Sequence, residues 1–270
     1  MYLREKFLPQ SSEIDWCESN YVISNEVAEF WNTISNAVFF VVPLLLNNLF
    51  KQYKYQVCRH VNIVWLLLVF VGVGSTYFHA TLSLFGQLLD ELAILYVCLA
   101  SFAIFMPSFY LPFSLVGKNR WKYHSFLFMF GTVATVLSFI RPEYNHIFLF
   151  SFVFPGFLFL LKEVRNSDYD EIKHVGKVSS CLFILGLICW ILDRNYCKSI
   201  NFEYLHGFWH ILVCIGSSMA CVCYAYFYAI YEFPELIPRI KYWPAENSLI
   251  RVPYVFLAEI PEKQGKYNNF

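Results

Sequence analysis

His206 and His210 stand four residues apart in an apolar run, so on a helix both imidazoles leave one face and can reach one ion. In isolation such a pair reads first as two helix-terminal histidines at a packing interface. His79 closes another apolar run and would stand at the matching end of a second helix. Three histidines with one position left to water make an open, catalytic zinc site rather than a closed structural one. An ion held that way brings the pKa of its water down to about 7. Ser75 lies four residues before His79 on the same helical face, and Asp90 follows a few residues later, after a tight turn. A carboxylate beside an activated water can act as general base and then general acid. A hydroxyl there can donate to a developing oxyanion. Each also has a purely structural role open to it: Ser75 bonded back to its own helix, and Asp90 or Glu91 capping a helix start.

A second polar cluster lies near the N-terminus, in Asp15-Trp16-Cys17-Glu18-Ser19-Asn20, with Glu29 shortly after. Asp15, Glu18, Asn20 and Glu29 could surround a hard cation with oxygen ligands, as calcium prefers. The ordinary reading of such a stretch is a solvated acidic segment or a capping turn.

These groups need elements to hold them, and the composition says which kind. The 270 residues are 58% hydrophobic and only 15% charged, against the roughly 25% charged of an average soluble protein. The apolar surplus falls in seven long runs, at about Glu29–Leu49, Val61–Ala80, Gln87–Met106, His124–Ile140, Asn145–Leu161, Gly176–Asp193 and His206–Ile230. A helix needs about 20 mostly apolar residues to cross a bilayer core, and helices satisfy their own backbone groups there. The expected fold is therefore an all-α bundle of seven transmembrane helices, with a polar metal site near one membrane face. Residues 1–28 form an N-terminal polar segment, 29–231 the bundle and 232–270 a C-terminal tail. Pro155 inside the fifth run would kink it. Glu29, His79, Asp90, Asp193, His206 and His210 all fall at the membrane face that carries the N-terminus. Ionisable groups in spanning helices are rare and costly, so each is a functional candidate. That face carries five of the Lys and Arg residues and the other carries fifteen, which orients the N-terminus to the lumen and the C-terminus to the cytosol. The first 28 residues are polar and acidic, so no cleavable signal peptide is expected. Zero formal net charge gives nucleic-acid binding no electrostatic support.

Five motifs resemble those of the alkaline ceramidases, in the same order along the chain: D-W-C-E-x-N-Y at Asp15–Tyr21, A-E-F-W-N at Ala28–Asn32, G-x-G-S-x-x-F-H-x-T-L at Gly72–Leu82, Q-L-L-D-E at Gln87–Glu91 and H-x-x-W-H-I-L at His206–Leu212. The resemblance implies a membrane amidohydrolase that cuts ceramide to sphingosine and a fatty acid. It implies that His79, His206 and His210 bind zinc, that Asp90 moves the proton and that Ser75 helps hold the oxyanion. Ser217, two turns beyond His210, would line the same site. Asp15, Glu18, Asn20 and Glu29 would bind calcium through side chains, and Trp16 through its backbone carbonyl. The implied mechanism is attack of a zinc-activated water on the amide carbonyl, then protonation of the leaving amine by Asp90. The family suggests an endoplasmic reticulum or Golgi membrane, with membrane lipid as the only further partner.

Joined to the topology, the resemblance leads to one more expectation. Cys17 and Cys197 share the N-terminal face and would form a disulfide tethering the N-terminal segment over the site, which suits an oxidising lumen. Three other readings remain open. A seven-helix lipid receptor without turnover has the same helix count. A hydrolase of another lipid amide would have the same apolar pockets. A transporter fits least, because the middle of every helix is uncharged.

Overall fold

The computed structural model describes residues 3–112 and 120–258. Among the described residues, seven helices are long and apolar enough to cross a membrane. The first span is broken into α1 (Phe30–Ser35) and α2 (Val38–Leu49). A short helix, α3 (Lys51–Gln56), follows at the far face. Then come α4 (Asn62–Thr81), α5 (Leu84–Phe105), α6 (Trp121–Ile140), α7 (Asn145–Asn166), α8 (Asp170–Ile200) and α9 (Leu205–Glu232). Helix α7 continues through Pro155, and α2 through Pro43.

The turn between α4 and α5 sets up the site. Leu82 adopts a left-handed conformation, φ 50°, and ends α4. Ser83 then caps α5, its Oγ accepting from the Gly86 amide at 3.1 Å. Because α5 starts at Leu84 rather than near Gln87, Asp90 and Glu91 lie well inside the helix. Neither is an N-cap, so that reading of them is withdrawn. The polar segment before the bundle is pinned to this same turn. The amides of Gln10 and Ser12 donate to the Thr81 and Leu82 carbonyls at 2.9 and 3.0 Å. Those of Ala28 and Glu29 donate to Ala80 and His79, both at 3.0 Å.

Helix α1 has its free N-terminal amides satisfied from outside. Glu18 accepts from the Trp31 and Asn32 amides at 2.6 and 2.8 Å, one on each carboxylate oxygen. A carboxylate there meets orphan N–H groups and the positive end of the helix dipole. Burial pushes the Glu18 carboxyl above its ordinary pKa, against the pull of those two amides.

Two features depart from the sequence-based expectation. Helix α8 outruns its apolar run at both ends, and its backbone leaves helical angles at Tyr196, so Cys197 belongs to the end of that helix. Hydropathy registers only the part of a helix that faces lipid, and the polar first turn with Asp170 and Glu171 lies beyond it. The described part of the C-terminal tail, up to Ala258, is also structured. Strand β1 (Ile237–Trp243) pairs antiparallel with β2 (Val252–Ala258), Ile240 opposite Val255. Alternate residues Val255 and Leu257 are buried, which is the period-2 pattern of a strand with one covered face. The Gln52 side chain brackets Leu257, donating to its carbonyl at 2.8 Å and accepting from its amide at 3.1 Å.

Candidate active site

Helices α4 and α9 bring the three histidines together. His79, His206 and His210 are all buried, and one potential ligand atom from each lies within 4.8 Å of the others. The His79 ring centroid is 4.9 Å from that of His206 and 4.8 Å from that of His210. Among the described residues no other three His, Cys, Asp or Glu side chains bring their ligand atoms this close together.

Hydrogen bonds decide which ring nitrogens face inward. His79 Nδ1 meets Glu29 Oε2 at 2.5 Å. A carboxylate only accepts, so Nδ1 carries the proton and Nε2 keeps its lone pair. His79 Nε2 is buried with no hydrogen-bond partner. His210 Nδ1 meets Ser35 Oγ at 2.7 Å, and Ser35 spends its single proton on the Asn32 carbonyl at 2.9 Å. His210 Nδ1 must therefore donate, which leaves Nε2 as an acceptor. His206 Nδ1 is likewise buried and without a partner. Buried orphan nitrogens are rare, since each forfeits its hydration. His79 and His210 each turn a lone pair inward with the outer nitrogen held by Glu29 or Ser35, and with the unpartnered, buried nitrogen of His206 the three imidazoles fit the donor set of a zinc site.

Ser75 Oγ lies 3.4 Å from His210 Nε2, and its side chain also pairs with the Asp90 carboxylate. Gly74 allows this: a Cβ there would stand 3.1 Å from the Asp90 Cα and amide nitrogen, so α4 and α5 touch backbone to backbone. Ser75, Asp90, His206, His210 and Ser217 all line one cavity of about 270 Å³ that runs down among apolar side chains of α5, α7, α8 and α9. Ser217 lines it two turns from His210, with its Oγ bonded back to the Cys214 carbonyl at 3.3 Å.

The N-terminal residues form a hydrogen-bonded set beside the triad. Asp15 Oδ1 accepts from Asn20 Nδ2 at 3.0 Å, and Glu29 Oε1 accepts from the Trp16 amide at 3.2 Å. Asn32 donates its amide to Glu18 and its side chain to Glu29 Oε2, the latter at 3.1 Å. Asn20 Oδ1 is buried with no donor. Each carboxylate retains acceptor capacity, so these oxygens fit a hard cation such as calcium. The Trp16 ring stacks on His206, with centroids 3.7 Å apart, and closes the segment over the site. Cys17 and Cys197 are joined as a disulfide, Cα to Cα 5.3 Å. Asp193 Oδ2 accepts from the Cys17 amide at 3.0 Å.

Several contributors escape a reading of the sequence. Ser35 carries no motif or spacing that ties it to His210. Glu29 stands out in the sequence as an oxygen ligand and as one of the ionisable groups at the membrane face of His79, but nothing there pairs it with that histidine.

Comparison with known proteins gives a consistent result. The chain matches the family described as Ceramidase over residues 8–256. It is 42% identical over 254 residues to the alkaline ceramidase of Drosophila melanogaster, covering 93% of this chain and 89% of that protein. It is 40% identical over 252 residues to human alkaline ceramidase 1, covering 92% and 95% of the two chains. With alkaline ceramidase 3 of Mus musculus the identity is 30% over 258 residues, covering 88% of this chain and 92% of that one.

Proposed function

The chain belongs to the ceramidase family, and from that premise we propose that it hydrolyses the amide bond of ceramide to sphingosine and a fatty acid, with zinc held by His79, His206 and His210. The observation that carries this reading is the convergence of three buried imidazoles, two of them with an unpartnered buried nitrogen, at the head of an apolar cavity. Bound there, zinc supplies Lewis acidity and an activated water at neutral pH.

The remaining chemistry belongs to side chains. Glu29 and Ser35 hold the outer nitrogens of His79 and His210, fixing tautomer and ring orientation. Asp90 takes the proton of the attacking water and delivers it to the amine nitrogen as the C–N bond breaks. Ser75 donates to the oxygen of the amide carbonyl as negative charge builds there. Ser217 shapes the wall beside them. Trp16 and the segment around it shut bulk water out above the triad. Asp15, Trp16, Glu18, Asn20 and Glu29 would hold calcium, tying that segment to Glu29 and so to His79. The disulfide and the excess of basic residues at the far face support a lumenal N-terminal face, in an endoplasmic reticulum or Golgi membrane.

The test is ceramide turnover by the purified protein in detergent, with zinc content measured alongside. His210→Ala and Asp90→Ala should each lower sphingosine release by about a hundredfold or more. Asp90→Ala should keep its zinc, and a zinc chelator should abolish wild-type turnover. A folded, zinc-loaded wild type that releases nothing across acyl lengths would instead favour a receptor that binds lipid without turnover.

A further inference from the structure

Beside the triad, the cavity wall carries a polar group that the chemistry above does not use. Gln87 Nε2 donates to Glu91 Oε1 at 3.0 Å, and Asn145 Nδ2 donates to Glu91 Oε2 at 2.6 Å. Ser12 Oγ donates to Gln87 Oε1 at 2.9 Å. Gln87, Glu91 and Asn145 all line the same cavity as Asp90 and His210. Gln87 and Asn145 are each only 6% exposed.

One atom of this network is unpaired. Asn145 Oδ1 is buried and has no donor. Rotating the amide cannot help, because it would turn the oxygen onto the acceptor-only Glu91 carboxylate and leave the NH₂ without its bond. The Glu91 carboxylate therefore fixes Asn145 with its carbonyl oxygen free to accept from a ligand. A buried acceptor is costly unless something donates to it. The occupant of this cavity must be mostly apolar, with a donor near its reacting end.

Resting on the ceramidase reading, we propose that Asn145, oriented by Glu91 and Gln87, is the subsite that accepts a hydroxyl of the sphingoid headgroup. Ceramide carries its two hydroxyls on the carbons either side of the one bearing the amide nitrogen. With the amide at the triad, a headgroup hydroxyl is the donor within reach of the neighbouring wall. Asp90 and Glu91 are adjacent on α5, so one helix turn presents a proton-moving group to the amide and an orienting group to the headgroup. The acyl chain brings no donor. The pairing thus sets which of the two chains of the substrate enters which arm of the cavity, and it separates N-acyl sphingoid bases from simple N-acyl amines of equal length.

The experiment compares ceramide with analogues lacking the primary or the secondary hydroxyl, on wild type, Asn145→Leu and Glu91→Gln. Turnover is read as kcat/KM. Displacement of a fluorescent ceramide is read separately in an Asp90→Ala background, so that binding is measured without turnover. Zinc content and melting temperature establish that each variant is folded. Wild type should lose at least about tenfold on one of the two analogues in both readouts. Asn145→Leu should lose a similar factor on ceramide itself and no longer distinguish that analogue. Glu91→Gln, which leaves the Asn145 amide unfixed, should blunt the distinction and serves if Asn145→Leu does not fold. Equal handling of all three lipids by wild type, or discrimination retained in both variants, would overturn the subsite. Discrimination in displacement without any wild-type turnover would uphold the subsite and defeat the hydrolase reading.

Discussion

The carboxylate of Glu29 accepts from His79 Nδ1 through one oxygen and from the Trp16 amide through the other. One buried side chain therefore serves both the triad and the segment above it. Groups that hold the outer nitrogen of a metal-binding histidine commonly contribute a factor of about 10 to 100 in metal affinity. Glu29→Gln keeps the shape but loses the charge, and it should weaken zinc retention by about that factor, measured by competition with a chelator of known affinity. Unchanged retention would mean that His79 is positioned by helix packing alone. The spacing of His206 and His210 was legible in the sequence because four residues on a helix are one turn. The direction of the His79 and His210 rings was not, because it depends on Glu29 and Ser35, which are 50 and 175 residues distant from the histidines they hold.

At the scale of elements, the site depends on how closely α4 and α5 approach. Gly74 lies against the backbone of Asp90, and Gly86 lies against Phe78, where an added Cβ would stand 2.8 Å from the Cα. Neither neighbour is a side-chain tip that can swing away. Gly74→Ala should force the helices apart by a few tenths of an ångström, at about 1–3 kcal/mol in stability. The same shift parts Ser75 from Asp90, so kcat should fall about tenfold or more while zinc stays bound. Turnover and metal content measured together would show this, and a fall in zinc of the same size would place the damage at the triad instead. The G-x-G-S stretch was visible as a motif. Its reason became visible only with the helix crossing, since a glycine marks close approach without naming what approaches.

In the whole molecule, the N-terminal segment acts as a cover over the head of the bundle. It is held by backbone bonds to the α4–α5 turn, by Glu18 on the start of α1, by Trp16 on His206 and by the Cys17–Cys197 bridge to the end of α8. Closing so long a loop removes freedom from the unfolded chain, and a bridge of this kind contributes about 2–4 kcal/mol. Cys197→Ser should lower the melting temperature and open the segment around Trp16 to limited proteolysis. A melting temperature and cleavage pattern matching wild type would show that the non-covalent contacts suffice.

Read alone, the sequence determined the class of the molecule. Seven runs of apolar residues, each long enough for a bilayer, leave helices as the answer, because lipid offers no partner to an unpaired backbone group. It also determined the chemistry on offer, since residue type and helical spacing are local properties. Tertiary structure decided what those groups meet: which nitrogens of His79 and His210 face inward, that Asp90 and Glu91 sit within α5, that β1 and β2 pair as a hairpin and that Asn145 pairs with Glu91 across 54 residues. Such contacts follow from the rotation and crossing of whole helices, which are set by packing along their full length rather than by the residues that finally touch.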